Sequence, residues 1–146
     1  MVPDLEHWST GRLLSTAARL YETSFNHALT GVGVSHAGLS VLRVLEVQEK
    51  ISQHELAGIL HVQPQTMGKT IERLELTQHL FRTRSTADRR MQVVSITDKG
   101  RDAVKFAHTI EDSLGAPDDV PVEELRSSLE AIIDQLSSPG LRGRGS

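Results

Sequence analysis

Gln65, Lys69 and Arg73 recur at i, i+4 and i+8, with Thr66 and Thr70 beside them. In a helix that spacing lines them along one face, while Met67, Ile71 and Leu74 at i, i+4 and i+7 share the opposite face. One stripe is amide, hydroxyl and cation, and the other is apolar. Gln65 and Arg73 can pair bidentately with adenine and guanine edges, each pairing worth roughly 1–3 kcal/mol of discrimination. Lys69 suits a phosphate equally well. Pro64 fits the first helical turn, where a missing N–H costs nothing, and Gln63 stands before it at the capping position. Glu72 lies on the polar side and is expected to pair locally with Lys69 or Arg73. On an isolated helix such a stripe is ordinarily a solvated face, so the elements around it decide its meaning.

Those elements are legible. Ser52-Gln53-His54-Glu55 has the S-x-x-E spacing of a capping box and opens a short helix carrying Leu56, Ile59 and Leu60. The two helices meet across His61 to Gln63, which is helix-turn-helix spacing, the first helix bracing the second in a major groove. Leu80 to Arg84, then Ser85 to Arg90, then Met91 to Ile96 read as strand, tight loop and strand. A hairpin in that position is a wing. Arg89 and Arg90 at its tip have an ordinary reading too, as a charged turn that keeps the hairpin soluble.

The run from Ser52 to Gly100 resembles the winged helix-turn-helix of the MarR family of bacterial transcription regulators. The matching residues are Ile71-Glu72-Arg73-Leu74-Glu75 at the end of the helix pair, Asp88-Arg89-Arg90 of the wing, and Val93-Val94-Ser95-Ile96-Thr97-Asp98-Lys99-Gly100 that closes it. The flanking helices fit the family layout, so the resemblance covers nearly the whole chain. It implies a mainly α fold with a small β-hairpin wing, a winged helix-turn-helix with N- and C-terminal dimerisation helices. It also implies that Arg89 reaches into a minor groove with Asp88 as its positioning partner. Arg84 and Arg90 are then phosphate contacts, and a narrow A·T-rich groove suits the guanidinium. The candidate DNA-binding set is thus Gln63, Gln65, Thr66, Lys69, Thr70, Arg73, Arg84, Asp88, Arg89 and Arg90. Two departures from the family pattern stand out. Gln63 occupies a position more often held by Ser or Asp, which cap better. Gln78-His79 replaces a Gly-apolar pair, and without that glycine the helix exit is strained or altered. Phe81 is exposed or buried according to how that exit resolves.

Composition sets bounds on partners. The 146 residues carry a net charge of −3 and no cysteine. Disulfides, thiolate metal ligands and peroxide-sensing thiols are therefore excluded. The charge is segregated: Val62 to Arg101 holds eight Lys or Arg against four acids, whereas Asp102 to Ser146 holds nine acids against four bases. The field that meets a phosphate backbone is local, so the acidic total does not argue against nucleic acid. No apolar run is long enough to span a membrane, and Met1 to Glu6 lacks the basic and apolar regions of a leader, so a cytoplasmic location is expected.

Along the chain, Leu14, Ala17, Ala18, Tyr21, Phe25 and Ala28, widened by Leu13 and Leu20, mark a long first helix over about 4–29. Ser35 can cap a second helix through Leu39, Leu42, Val44 and Leu45. Thr97 can cap a fifth, with Val104, Ala107, Ile110 and Leu114 on one face. Residues 115–121 form a break, and a last helix from Val122 to about Leu136 carries Leu125, Leu129, Ile132 and Leu136. Residues 137–146 are expected to be disordered. The domain organisation that follows is a single MarR-type domain over 1–136. Its DNA-binding lobe is 35–100 and its dimerisation helices are 4–30 and 100–136. The end helices offer more apolar surface than a small winged helix can cover, which predicts a two-fold homodimer addressing a pseudo-palindrome.

Family resemblance further implies a repressor relieved by a small molecule, often an aromatic or phenolic acid, lodged between the dimerisation helices and the reading head. Alternative readings are a winged helix used for protein interaction and a metal-responsive regulator. For the latter, His108 and Asp112 lie at i and i+4, and His27 and His36 bracket the first interhelical turn, where some zinc-sensing relatives bind metal. Nitrogen and oxygen ligands suit zinc, but scattered surface histidines are the commoner explanation, and no metal or cofactor is expected. No nucleophile elbow, phosphate loop or H-E-x-x-H occurs, so the chain is not expected to be an enzyme.

Overall fold

In the computed structural model of the chain, residues 4–113 and 118–138 are described, and they fall into two compact units divided after Ser113. The first holds helices α1 (Thr10–Ala28) and α2 (His36–Val47), strand β1 (Ile51–Ser52), helices α3 (Gln53–Leu60) and α4 (Pro64–Leu76), strands β2 (Leu80–Arg84) and β3 (Gln92–Ile96), and helix α5 (Asp98–Ser113). The second holds α6 (Val122–Ser137).

The core of the first unit forms around α2, whose Leu39, Val41, Leu42 and Leu45 are buried. Around it close Phe25 and Leu29 from the end of α1, Leu56 and Ala57 of α3, Met67, Ile71 and Leu74 of α4, Val94 and Ile96 of β3, and Ala103, Val104 and Ala107 of α5. The apolar stripe of α4 is thus the face it buries. Gln63 makes no capping bond there. A missing cap costs about 1 kcal/mol, whereas each of the three buried side chains contributes about 1.5–3 kcal/mol. Packing, not the cap, fixes α4. The other caps form as their sequences predict: Ser35 Oγ accepts from the Gly38 N–H at 3.0 Å and Thr97 Oγ1 from the Gly100 N–H at 3.1 Å. Ser52 Oγ accepts the Glu55 N–H and donates to Glu55 Oε1, both at 3.1 Å.

The sheet has three antiparallel strands in the order β1-β3-β2. Leu80 pairs with Ile96 and Arg84 with Gln92 in the wing, while Ile51 and Ser52 pair with Val94 and Val93. The short β1 is an addition to the predicted hairpin. Further differences concern the ends. Only Phe25 of the broad α1 stripe is buried within the chain. Ile59 is exposed, and Ser137, expected in a disordered tail, is the last residue of α6. In the second unit α6 buries none of its own residues, leaving Leu125, Leu129, Ile133 and Leu136 exposed. Leu114, residues 115–117 of the expected break and residues 139–146 lie outside the described residues.

The exit of α4 takes the altered course that Gln78-His79 predicts. Gln78 adopts φ 65°, a left-handed conformation that costs a residue with a Cβ about 1 kcal/mol. His79 then turns inward to 1 % exposure, and Phe81 is left 46 % exposed. The His79 carbonyl accepts the Thr97 N–H at 3.1 Å and lies against Gly100, where any Cβ would collide with it and press on Ile96 Cγ1. Alanine is favoured over glycine in a helix by about 1 kcal/mol, but overpacking against a backbone oxygen that cannot rotate away costs about 1–3 kcal/mol. The clash wins. Gly100→Ala is expected to lower the unfolding free energy by about 1–2 kcal/mol in a denaturant titration; unchanged or raised stability would mean that the α4–α5 corner is not rigid.

Candidate nucleic-acid interface

The polar stripe of α4 faces outward. Gln63, Gln65, Thr66, Lys69 and Arg73 are exposed and Thr70 is half-buried. The Thr70 hydroxyl donates to the Thr66 carbonyl at 3.1 Å, which commits its proton within the helix and leaves it an acceptor. On the wing, Arg84, Arg89 and Arg90 are exposed. Arg84 and Arg89 line one open cleft with Ser85 and Thr86. Arg90, Met91 and Gln92 line another with Pro64 at the start of α4 and Ser52, Gln53 and His54 at the start of α3. The loop end of β3 therefore stands beside the leading end of the candidate reading helix. Among the described residues Lys69, Arg73, Arg84 and Arg89 make no ion pair, so four guanidinium or ammonium groups remain available to an anion.

Several expected pairings are corrected by the geometry. Asp88 engages Arg90 and not Arg89: its Oδ1 accepts the Arg90 N–H at 3.0 Å and Nε at 3.3 Å. The physical reason is the turn, in which the backbone N–H two residues on is the donor an aspartate reaches most readily. Glu72 forms no ion pair with Lys69 or Arg73 among the described residues, and its charge acts on Arg82 instead. Arg82 is not part of the outward cationic set. Its Nη2 and Nε donate to Glu75 Oε1 and Oε2 at 2.8 and 3.2 Å, a bidentate pair joining β2 to α4. That hydrogen bond holds the Glu75 carboxyl below its ordinary range and raises the Arg82 guanidinium above its own.

Gly33, Val34 and Ser35, before α2, line a groove with Thr66, Lys69, Thr70 and Arg73. The sequence marks Ser35 as a cap, but its nearness to α4 arises only when the helices pack. The histidines singled out earlier do not converge. His36 Nδ1 lies 3.7 Å from Glu22 Oε1, with its ring against Tyr21 and Phe25, and His108 Nδ1 lies 3.7 Å from Glu111 Oε2. The side chain of Asp112 is outside the described residues. Among the described residues, the carboxylates and imidazole that come within 4.8 Å of one another as a group of three are Asp4, Glu6 and His7, all exposed.

A helix pair whose second member is pinned by packing, with a three-stranded wing at its side and unpaired cations along both, defines a winged helix-turn-helix transcription regulator of the DNA-binding class. Residues 34–91, which hold α2, the helix pair and the first strand of the wing, match the model of the MarR family. It is 26 % identical over 100 residues to the HTH-type transcriptional regulator SarZ of Staphylococcus epidermidis, covering 68 % of each chain. The transcriptional repressor CouR bound to a 23-mer DNA duplex superposes with a TM-score of 0.75 at 24 % identity, over 94 % of this chain and 100 % of that one. CouR of Rhodococcus jostii RHA1 bound to p-coumaroyl-CoA gives 0.72 at 26 % identity, over 94 % and 97 %. These relatives are regulators and not enzymes. Among the described residues no helix is long and apolar enough to cross a membrane.

Proposed function

We propose that the chain is a ligand-responsive repressor that binds a pseudo-palindromic operator as a homodimer. The observation that carries this reading is the outward face of α4, with Gln65, Thr66, Lys69 and Arg73 exposed beside a wing that exposes Arg84, Arg89 and Arg90. Gln65 and Arg73 read base edges in the major groove, Lys69, Arg84 and Arg90 hold phosphates, and Arg89 enters the adjoining minor groove. Gln63 and Thr66 at the leading end of α4, with Thr70, complete the contact surface, and Asp88 keeps Arg90 in place.

Pairing with a second copy is supported by the apolar surface each unit leaves uncovered: Leu13, Leu20 and Tyr21 on α1, and Leu125, Leu129, Ile133 and Leu136 on α6. A two-fold pair sets two reading heads on one face of the duplex, which is why the operator is expected to be a pseudo-palindrome.

For the ligand, a crevice of 230 Å³ runs between α2 and the helix pair, lined by Glu22, His36 and Ser40 on one side and by Leu60, Val62, Met67 and Thr70 on the other. It exceeds the roughly 150 Å³ that accommodates a benzene in a protein core, so it has room for an aromatic ring. CouR's p-coumaroyl-CoA supports the chemical class, an aromatic acyl group. Such a ligand induces by preferring the arrangement of heads that does not match the operator, and its effect is bounded by that preference.

Selection of bound duplexes from a random pool tests the reading. Recovered sequences are expected to share two inverted half-sites centred about one helical turn, roughly 10 base pairs, apart. A single half-site, or no enrichment, would overturn the dimeric and the DNA-binding parts respectively.

A further inference from the structure

At the corner where α4 ends, a titratable ring is buried in a joint that the DNA contacts do not use. His79 is 1 % exposed. Its N–H donates to the Leu74 carbonyl at 2.9 Å, and its carbonyl accepts from Thr97. Its Nδ1 lies 2.7 Å from Thr77 Oγ1. That hydroxyl sits 3.2 Å from both the Arg73 and the Leu74 carbonyls, so its proton goes to the backbone and its lone pair faces the ring. On that ground we assign the ring proton to Nδ1, which leaves Nε2 a basic atom buried with no partner among the described residues. A proton arriving at Nε2 would become a buried N–H⁺ with nothing to accept it.

The same joint couples α4, the wing and α5. Thr97 Oγ1 donates to the Gln78 carbonyl at 2.7 Å, and Lys99 Nζ donates to the Thr77 carbonyl at 2.8 Å. The charges facing the ring offer a proton no compensation. From α5 comes the Lys99 cation. Asp98 is fully exposed and bound to Arg101. From α4, the Glu75 carboxylate is occupied by Arg82 of β2. The residues of β3, Gln92 to Ile96, carry no charge. Burial first, and the Lys99 charge second, push the His79 imidazole below its ordinary value.

We infer that His79 is a positioning residue that locks the wing to the reading helix only while its ring is uncharged, so that mild acidification loosens the wing. The sign follows from linkage. With the folded value depressed, the stabilisation is complete above the unfolded imidazole value of about 6.5 and is lost progressively as pH falls from there through the folded value. The Glu75–Arg82 pair cannot produce this loss, because its carboxyl is held below the ordinary carboxylate range and yields only at lower pH.

Three measurements on the full chain test this. Imidazole resonances of the wild type, followed by NMR, are expected to place His79 as the last of the seven histidines to gain a proton. Amide exchange over residues 80–96, corrected for its intrinsic pH dependence, is expected to be at least tenfold faster at pH 5 than at pH 7.5, and His79→Gln is expected to abolish that difference. The duplex selected by the wild type should lose affinity over the same pH range, an arm that rests on the DNA-binding reading, whereas the exchange arm does not. A ring titrating with the exposed histidines, a wing indifferent to pH, or an unchanged response in His79→Gln would each overturn the assignment. If His79→Gln does not fold, the wild-type titration and exchange decide alone.

Discussion

Raising the salt from 50 to 200 mM is expected to weaken binding to the selected duplex by about a thousandfold. Each phosphate neutralised by a lysine or arginine releases condensed counterions, contributing a slope of about −0.9 in log affinity against log salt. Lys69, Arg84 and Arg90, repeated in a symmetric pair, give about six such contacts and a slope near −5. The physical basis is that Lys69 and Arg84 hold no intramolecular partner among the described residues, while Arg90 is 92 % exposed in its pair with Asp88 and its head can turn to a phosphate. Fluorescence anisotropy across a salt series measures the slope. A slope shallower than about −2 would mean that the cationic face is not where the duplex lies, and would favour a winged helix that recognises protein.

The second large effect is expected at the tip of the wing. Arg89→Ala should weaken duplex binding at least tenfold, that is by about 1.4 kcal/mol or more, with the thermal midpoint unchanged. Its side chain is exposed and makes no ion pair among the described residues, so truncation removes nothing from the fold, and exposed substitutions of that kind stay within about 0.5 kcal/mol. The loss should be larger on duplexes whose half-sites are flanked by A·T tracts, where a narrow groove concentrates negative potential. Equal affinities in a side-by-side titration would remove Arg89 from the interface. Arg90→Ala provides a contrast: it should cost less and reduce the salt slope, because it removes a phosphate contact together with the local pair to Asp88.

The parts of the fold carried by local chemistry could be read from the chain. The three-four spacing of Met67, Ile71 and Leu74 gave the buried face of α4, the Ser52 capping box gave the start of α3, and Ser35 and Thr97 gave the starts of α2 and α5. What escaped depends on contacts between distant residues. Two residues, Ile51 and Ser52, have no periodicity of their own and become a strand only because Val93 and Val94 lie opposite. Ile59 lies on an apolar pattern yet is exposed, since an eight-residue helix covers only one narrow face. At the interface, residue types and spacing located the exposed stripe of α4, but partner choice followed three-dimensional geometry. The turn gave Asp88 to Arg90, and the approach of β2 to α4 gave Arg82 to Glu75. His79 was visible as an unusual residue at a helix exit. Its burial was not, because it depends on the space Gly100 leaves twenty-one residues later.

The two-residue strand β1 has a mechanical consequence. Through Ser52 it fastens the cap of α3 to the middle of the wing, so at neutral pH the helix pair and the sheet behave as one stiff jaw whose teeth keep a fixed angle. On the proposed function, an effector lodged behind that jaw has little scope to reshape its bite. In the proposed two-fold pair it acts on the span between two jaws, and sensitivity to it is expected to follow operator spacing more closely than operator base composition.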